Sequence, residues 1–165
     1  MARDEAMDAA ASAPDFSADD TASAFFAPVR RGDFRCLKAA SSWLLKTAAE
    51  AKIPQETADE LDFCAAELLA NIVGYAFDDD APHEVLIHML RSPDSVSLTF
   101  EDDGRAFDPI AGDTYVAPET LDDAGHRGYG VHLVRRFADD MSYRREKGRN
   151  IVTVVKFRQG RVARE

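Results

Sequence analysis

The sequence predicts an α+β fold, a two-layer sandwich with helices on one face of a mixed, mostly antiparallel sheet. Runs of helical and strand periodicity follow one another as β-α-α-β-β-loop-α-β-β, which differs from the strict strand–helix alternation of parallel α/β folds. The chain has 165 residues, of which 45% are hydrophobic, and this is enough to bury one core. We therefore expect one folded domain.

The two ends of the chain differ in composition. Residues 1–22 are rich in Ala, Asp and Ser and contain six acidic residues. Such a segment offers too little apolar surface to offset the entropy lost on ordering, so we expect a flexible acidic tail. The domain is expected over residues 23–165.

The first half of the domain is expected to hold one strand and two helices. A short strand is predicted over residues 24–29. Asp33 is a candidate N-cap for a helix that ends near residue 51. The pattern Thr57-Ala-Asp-Glu60 is typical of a capping box and predicts the start of a second helix, which ends near residue 76.

Strand periodicity dominates the second half. Four further strands are predicted, over residues 84–90, 95–101, 141–145 and 151–157. Residues 104–127 contain Gly, Pro, Asp and Thr without any period, and a loop of this length in a compact domain is typical of a lid. A third helix is expected over residues 130–138.

Charge and composition argue against several classes of partner. The net charge is −10 and the isoelectric point about 4.8, whereas nucleic acids and anionic membranes attract basic surfaces. Cys36 and Cys64 fall in helical patterns and are expected to be reduced core residues. The N-terminus is acidic and has no apolar run, and no stretch approaches the roughly 18–20 apolar residues of a membrane span. We therefore expect a cytoplasmic protein.

The first candidate site motif is Glu67-Leu-Leu-Ala-Asn71. At 100° per residue, Asn71 lies about 40° from Glu67, so both polar side chains lie at the rim of the buried face of the helix. A carboxylate can act as a general base, and an amide oxygen suits Mg²⁺. The alternative is an exposed polar pair on the helix surface.

The second candidate motif is Glu101-Asp-Asp-Gly104, at the end of a strand. A carboxylate accepts hydrogen bonds, so an aspartate here can bind an exocyclic amine such as that of adenine. Gly104 allows the backbone to approach a ligand closely. The alternative is a turn of ordinary composition.

The third candidate motif is Gly125-His-Arg-Gly-Tyr-Gly130, which leads into a helix. Glycines at a helix N-terminus expose backbone N–H groups to an anion, and the helix dipole favours negative charge there. This predicts a phosphate site. The alternative is a hinge for the preceding lid.

Taken in order, these motifs resemble those of the GHKL ATPases, whose nucleotide-binding fold is the Bergerat fold. Within that superfamily the chain is most similar to the serine/threonine protein kinases of bacterial partner-switching systems, which act as anti-sigma factors. The stretches that carry this resemblance are Glu67–Phe77, Glu101–Pro109 and Gly128–Arg136, with Tyr143 and Gly148-Arg-Asn150 downstream. The resemblance as a whole spans about residues 24–158.

The resemblance implies a role for each motif. Glu67 would be the general base, Asn71 the Mg²⁺ ligand and Asp102 the group that binds the adenine amine. Four further residues would line the ATP site, namely Gly104 at the adenine and Arg127, Gly128 and Gly130 at the phosphates. Such kinases phosphorylate a small anti-anti-sigma protein of the STAS type; many bind a sigma factor, and they commonly form homodimers.

The chain departs from this family at two places. Ala106 stands at the usual second glycine of Asp-x-Gly-x-Gly, and Gly74-Tyr75 stands where relatives often have a basic residue and a histidine. One alternative function therefore stays open: a nucleotide-responsive binding module that sequesters a partner without significant kinase activity. We do not expect a free-standing ATP hydrolase, because the sequence predicts no partner domain that could couple the hydrolysis to work.

Overall fold

The computed structural model describes residues 21–111 and 129–158 and confirms the α+β sandwich. The described strands are β1 (Thr21–Val29), β2 (His83–Arg91), β3 (Ser95–Asp102), β4 (Asp140–Glu146) and β5 (Arg149–Phe157). The described helices are α1 (Cys36–Glu50), α2 (Gln55–Asn71) and α3 (Tyr129–Phe137), and a π-helical segment, Ile72–Ala76, continues α2.

The five described strands form one sheet in the order β1-β2-β3-β5-β4, and each of its four pairings is antiparallel. Strand β3 lies at the centre and alternates as predicted: Val96, Leu98 and Phe100 are buried, whereas the residues between them are half-buried. The register of β3 and β5 places Asp102 opposite Asn150. These two polar residues are both 3% exposed and lie at the same end of the sheet.

The core lies between the inner face of the sheet and the helices. Its largest fully buried side chains include Phe100, Leu44, Leu61, Leu69 and Leu98. Burial of a side chain of this size contributes roughly 1.5–3 kcal/mol. Cys64 is buried in the same core and Cys36 is half-buried beside it, and both are free thiols. Burial raises the pKa of the Cys64 thiol to about 11, which fits the expected inert core role.

The prediction that Asp33 caps the first helix is wrong. Helix α1 begins at Cys36, its N-cap residue is Arg35, and no side chain caps it. The Asp33 carboxylate instead accepts hydrogen bonds from the backbone N–H and the guanidinium of Arg35. The Asp33 carboxylate is therefore bound to Arg35, ahead of the first residue of the helix, and does not cap the helix. The hydrogen bonds from Arg35 lower the pKa of Asp33 to about 2.

The predicted capping box at Thr57 and Glu60 is also wrong. Helix α2 begins two residues earlier, at Gln55, directly after Pro54, and no side chain caps it. Glu60 instead forms an ion pair with Lys156 of β5, with 2.7 Å between Oε2 and Nζ. Lys156, which is distant in sequence, therefore binds the Glu60 carboxylate that the capping-box pattern placed at the start of the helix.

The remaining boundaries differ from the predictions by three residues or fewer. Strand β1 begins at Thr21 because it pairs with β2 along its whole length, from Thr21 opposite Arg91 to Val29 opposite His83. It therefore includes the last two residues assigned to the tail. The rest of the tail lies outside the described residues, as does most of the predicted lid. Of the three described helices, none has the length and apolar character needed to cross a bilayer.

Candidate functional site

The side chain of Glu67 lies against the first turn of α3. Glu67 is half-buried on α2, and its Oε2 atom lies closer than a van der Waals contact to the position at which residue 130 would carry a β-carbon. The rings of Phe63 on α2 and Phe137 on α3 pack with centroids 5.0 Å apart, which holds the two helices together. The structure thus brings Glu67 and Gly130 into contact, at a helix N-terminus whose dipole favours negative charge.

Asn71 lies one turn beyond Glu67, as the last residue of α2, and is half-buried. The π-helical segment follows it directly. Single π-turns within α-helices occur frequently at functional sites because they shift the register of the side chains that follow. Asn71 therefore lies at the point where the helix changes its geometry.

The residue type at position 71 is compatible with the predicted Mg²⁺ ligand, because an amide oxygen is a hard ligand. Within the described ranges, no group of three or more His, Cys, Asp and Glu side chains is arranged to bind a metal ion. Mg²⁺ usually takes only one or two protein ligands and completes its octahedron with water and substrate phosphates. One amide oxygen, on the half-buried residue Asn71, is consistent with that coordination.

Asp102 is a buried carboxylate at the end of β3. Its Oδ1 atom accepts hydrogen bonds from the backbone N–H of Gly104, at 2.9 Å, and from Nδ2 of Asn150, at 3.0 Å. Burial raises the pKa of Asp102 above its ordinary value, although both of these hydrogen bonds act in the opposite direction. The next residue, Asp103, is exposed, and its carboxylate contacts His83 instead.

Gly104 follows the end of β3 and packs against the π-helical segment that follows Asn71. A β-carbon on residue 104 would lie 2.6 Å from both the β-carbon and the carbonyl oxygen of Ala76. The backbone N–H of Arg105 donates a 2.9 Å hydrogen bond to that same carbonyl oxygen. The absence of a side chain at residue 104 therefore allows the Asp102 loop to pack directly on the end of the π-helical segment.

The loop between Ala76 and β2 is attached to this region through His83. The imidazole stacks on Phe77 with ring centroids 4.0 Å apart. Its Nε2 atom lies 2.7 Å from Asp79 Oδ1, and its Nδ1 atom lies 3.2 Å from Asp103 Oδ1. The hydrogen bond to Asp79 raises the pKa of His83 above its ordinary value, although desolvation opposes the shift. One histidine thus links the loop to the end of β3.

Asn150 is a site residue to which the sequence analysis assigned no role. It is buried on β5, opposite Asp102, and its amide contacts five groups of the site. Its position offered a signal, because Asn150 alternates with the apolar residues Val152 and Val154 along β5, and an amide on an inward-facing position needs hydrogen-bond partners.

Two of the predicted phosphate-site residues, Arg127 and Gly128, lie outside the described residues.

The backbone at Ala106 shows whether this position needs the glycine that the resembled family usually has there. Ala106 is exposed, and the described non-glycine residues with positive φ are Lys52 and Lys147. Ala106 thus has an ordinary backbone conformation that needs no glycine.

Two comparisons with known proteins agree with this arrangement. The sequence profile of the histidine kinase-like ATPase domain matches residues 33–156 of the chain. The chain is also 36% identical, over 95 residues, to the serine/threonine-protein kinase BtrW of Bordetella bronchiseptica; the match covers 58% of this chain and 67% of that protein. Both findings agree with the expected enzyme class, a serine/threonine protein kinase. The profile covers the elements that carry Glu67, Asn71, Asp102 and Gly130, and the chain therefore belongs to the histidine kinase-like ATPase domain family.

Proposed function

We propose that this protein is an ATP-dependent serine/threonine protein kinase that acts as an anti-sigma factor and phosphorylates a STAS-type anti-anti-sigma protein. One observation carries the proposal: motifs far apart in sequence meet around the end of α2. Glu67 lies against Gly130 of α3, and Gly104 packs on Ala76, just beyond Asn71. These two packing contacts support the proposal, because they bring the elements that carry the proposed base, metal ligand, adenine-binding carboxylate and phosphate-binding turn together.

Glu67 is the proposed general base. Its carboxylate lies beside the N-terminal turn of α3, where an anionic phosphoryl group would be stabilised by backbone N–H groups and the helix dipole. A serine or threonine hydroxyl that approaches this turn would come within reach of Glu67, which can accept its proton. Phosphoryl transfer requires mainly positioning and electrostatic stabilisation from a protein, and this pair of elements supplies both.

Asn71 is the proposed protein ligand for Mg²⁺. Bound there, Mg²⁺ would neutralise negative charge on the phosphate oxygens of ATP. Gly130, with Gly128 and Arg127, is proposed to bind those phosphates. The short spacing of Glu67 and Asn71 on one helix keeps the base and the metal ligand on the same side of α2.

Asp102 is the proposed adenine-binding residue. Its two hydrogen bonds fall on Oδ1, so within the described part of the chain Oδ2 is the oxygen left for a ligand. An ionised carboxylate accepts a hydrogen bond from an amine, which selects adenine over bases that present an oxygen at that position.

The proposal extends to partners and setting. The relative BtrW is named a serine/threonine-protein kinase, and the substrate proposed for this chain is the serine or threonine of a STAS-domain protein. We further propose that the protein binds a sigma factor, forms a homodimer and works in the cytoplasm, without contact to nucleic acid or membrane.

The proposal is tested by incubating the protein with [γ-³²P]ATP, Mg²⁺ and the STAS protein encoded nearest in the genome. Wild-type protein should transfer label to the STAS protein, and EDTA should prevent the transfer. Glu67→Gln should reduce the rate by about 10²–10⁴-fold while ATP affinity stays close to wild type. Glu56→Gln, which removes an exposed carboxylate from the first turn of the same helix, is the matched control and should leave the rate unchanged.

Two outcomes would contradict the proposal. Near wild-type transfer by Glu67→Gln would exclude Glu67 as the base. Wild-type protein that binds ATP and the STAS protein but transfers no label would instead establish the nucleotide-responsive binding module.

A further inference from the structure

The side-chain amide of Asn150 uses both its donor and its acceptor group within the site. Its Nδ2 atom donates to Asp102 Oδ1 at 3.0 Å and to the backbone carbonyl of Arg105 at 2.8 Å. Its Oδ1 atom accepts from Arg145 Nη1 at 2.8 Å and from the Tyr143 hydroxyl at 2.9 Å. Oδ1 also lies 3.4 Å from the backbone nitrogen of Phe107, a longer contact. A buried amide with this many partners has one preferred orientation.

Arg145 determines which way that amide points. A guanidinium has donors and no acceptor, so the amide atom that it approaches must be the oxygen. The nitrogen of Asn150 is therefore directed to the opposite side, where it meets two acceptors, the Asp102 carboxylate and the Arg105 carbonyl. A reversed amide would place oxygen against carboxylate and nitrogen against guanidinium, and both contacts would be repulsive.

The amide orientation in turn determines the orientation of Asp102. Nδ2 of Asn150 and the backbone N–H of Gly104 donate to the same oxygen, Oδ1. Two donors on one oxygen prevent free rotation of the carboxylate about its last bond. Oδ2 consequently keeps a defined direction from this end of β3.

The same group of residues holds the chain that leaves the site. Arg145 Nη1 donates to the carbonyl of Gly104 at 3.2 Å, and Asn150 contacts the backbone of Arg105 and Phe107. Strands β4 and β5 thus attach to Gly104–Phe107 through two side chains that lie opposite each other in the sheet.

We propose that Asn150 is a positioning residue for base recognition, oriented by Arg145 and Tyr143, and that it aims Oδ2 of Asp102 at the 6-amino group of adenine. This inference rests on the proposed function, because it assumes that Asp102 binds the base. Asn150 makes no contact with ligand in this role. It contributes to selectivity by holding the carboxylate in the one orientation that recognises an amine.

The test compares two nucleotides that differ only in the recognised group, ADP and purine riboside 5′-diphosphate, which lacks the 6-amino group. Affinities are measured by isothermal titration with Mg²⁺ for each variant. Wild-type protein should prefer ADP by on the order of tenfold or more, the effect expected of one charge-assisted hydrogen bond. Asn150→Ala should bring the ratio of the two Kd values close to one. A residue that only stabilised the fold would weaken both ligands together and leave their ratio unchanged.

Thr153→Val is the matched control. Thr153 lies on the same strand but on the opposite face, where its hydroxyl lies 2.9 Å from that of Thr99. This variant loses a cross-strand hydrogen bond, as Asn150→Ala does, yet should keep the wild-type ratio. If Asn150→Ala does not fold, the double variant Tyr143→Phe/Arg145→Met takes its place. Both changes remove donors to Asn150 Oδ1 without altering Asp102. The double variant should therefore show a smaller preference for ADP over purine riboside 5′-diphosphate than wild type does.

Three results would overturn the inference, and they separate it from the proposed function. A wild-type ratio in Asn150→Ala, or in the double variant if that one is used, would show that Asn150 does not aim Asp102. An equal loss of the ratio in Thr153→Val would show that the effect is not specific to Asn150. A ratio near one in the wild-type protein itself would instead remove Asp102 as the base-binding residue, and the proposed adenine site would fail with it.

Discussion

The carboxylate of Glu67 occupies the space that a side chain on residue 130 would fill. This relationship explains why a glycine is needed in the first turn of α3, where its backbone conformation is an ordinary one. Gly130 is required for space rather than for a positive φ, because its backbone torsion does not lie in the left-handed range.

Gly130→Ala should displace Glu67 without unfolding the protein. The new β-carbon would meet the end of a flexible side chain, which can move, and alanine is favoured over glycine in a helix by about 1 kcal/mol. We expect thermal stability equal to or above wild type and a kinase rate reduced at least tenfold. Gly74→Ala, whose β-carbon would meet Phe34 at an ordinary 3.8 Å, is the control: it has the same helix preference and should leave the kinase rate unchanged. Wild-type kinase activity in Gly130→Ala would argue against a catalytic role for this contact.

Gly104→Ala should damage both stability and nucleotide binding. Its β-carbon would lie 2.6 Å from the Ala76 carbonyl oxygen, which is backbone and cannot move aside cheaply, and 2.8 Å from Asp102 Oδ1. Overpacking of this kind typically costs about 1–3 kcal/mol. Urea denaturation should show that loss, and titration with ADP should show weakened binding in the folded fraction. Unchanged stability would mean that the two segments are not packed as closely as described.

Asp102→Asn should weaken adenine nucleotides far more than Asp103→Asn. At position 102 the amide oxygen would keep the hydrogen bonds from Gly104 and Asn150, so the amide nitrogen would replace Oδ2 and present a donor to the ligand amine. Loss of a charge-assisted hydrogen bond of roughly 1.5–3 kcal/mol corresponds to on the order of a tenfold to hundredfold drop in affinity. Asp103 is exposed and contacts His83, so its change should alter ADP affinity little. If titration with ADP showed a larger loss of affinity for Asp103→Asn than for Asp102→Asn, the adenine site would lie at Asp103.

His83 should make the stability of the protein depend on pH. Its hydrogen bond to Asp79 raises its pKa in the folded state, so the folded protein binds the proton more tightly than the unfolded chain does. The stabilisation is therefore fully present below the ordinary pKa of about 6.5 and is lost as the pH rises through the raised value. The pKa of Asp79 is lowered from 3.8, so its own contribution stays constant across this range.

The measurement is urea denaturation of wild type and His83→Gln between pH 5.5 and 8.5. The difference in unfolding free energy between them should be larger at pH 5.5 than at pH 8.5. A difference that stays constant or grows with pH would contradict the assignment of a charged His83 to this cluster.

Local periodicity determined much of the fold and part of the site. The period of two along β3 predicted that Val96, Leu98 and Phe100 share one face, and the structure confirms it. The same period places Asp102 on that inner face and Asp103 off it, so one aspartate is buried and its neighbour is exposed. These properties depend on backbone geometry between adjacent residues, which a short stretch of sequence specifies by itself.

The helix starts could not be predicted in the same way. The patterns at Asp33 and Thr57 have the composition of N-caps, yet neither residue caps a helix. Arg35 binds Asp33 locally, and Lys156, nearly a hundred residues away in the chain, binds the Glu60 that the capping box required. Capping contributes only about 1 kcal/mol, so a competing ion pair or turn can override it.

The sequence alone therefore determined which residues could carry chemistry and which face of each element they occupy. Only the tertiary structure decided which of them meet. Glu67 touches Gly130 because α2 packs on α3, and Asn150 reaches Asp102 because β5 pairs with β3 in one register. Contacts between residues so far apart in the chain depend on how whole elements pack and pair, and a shift of one residue between β3 and β5 would turn Asn150 to the other face of the sheet.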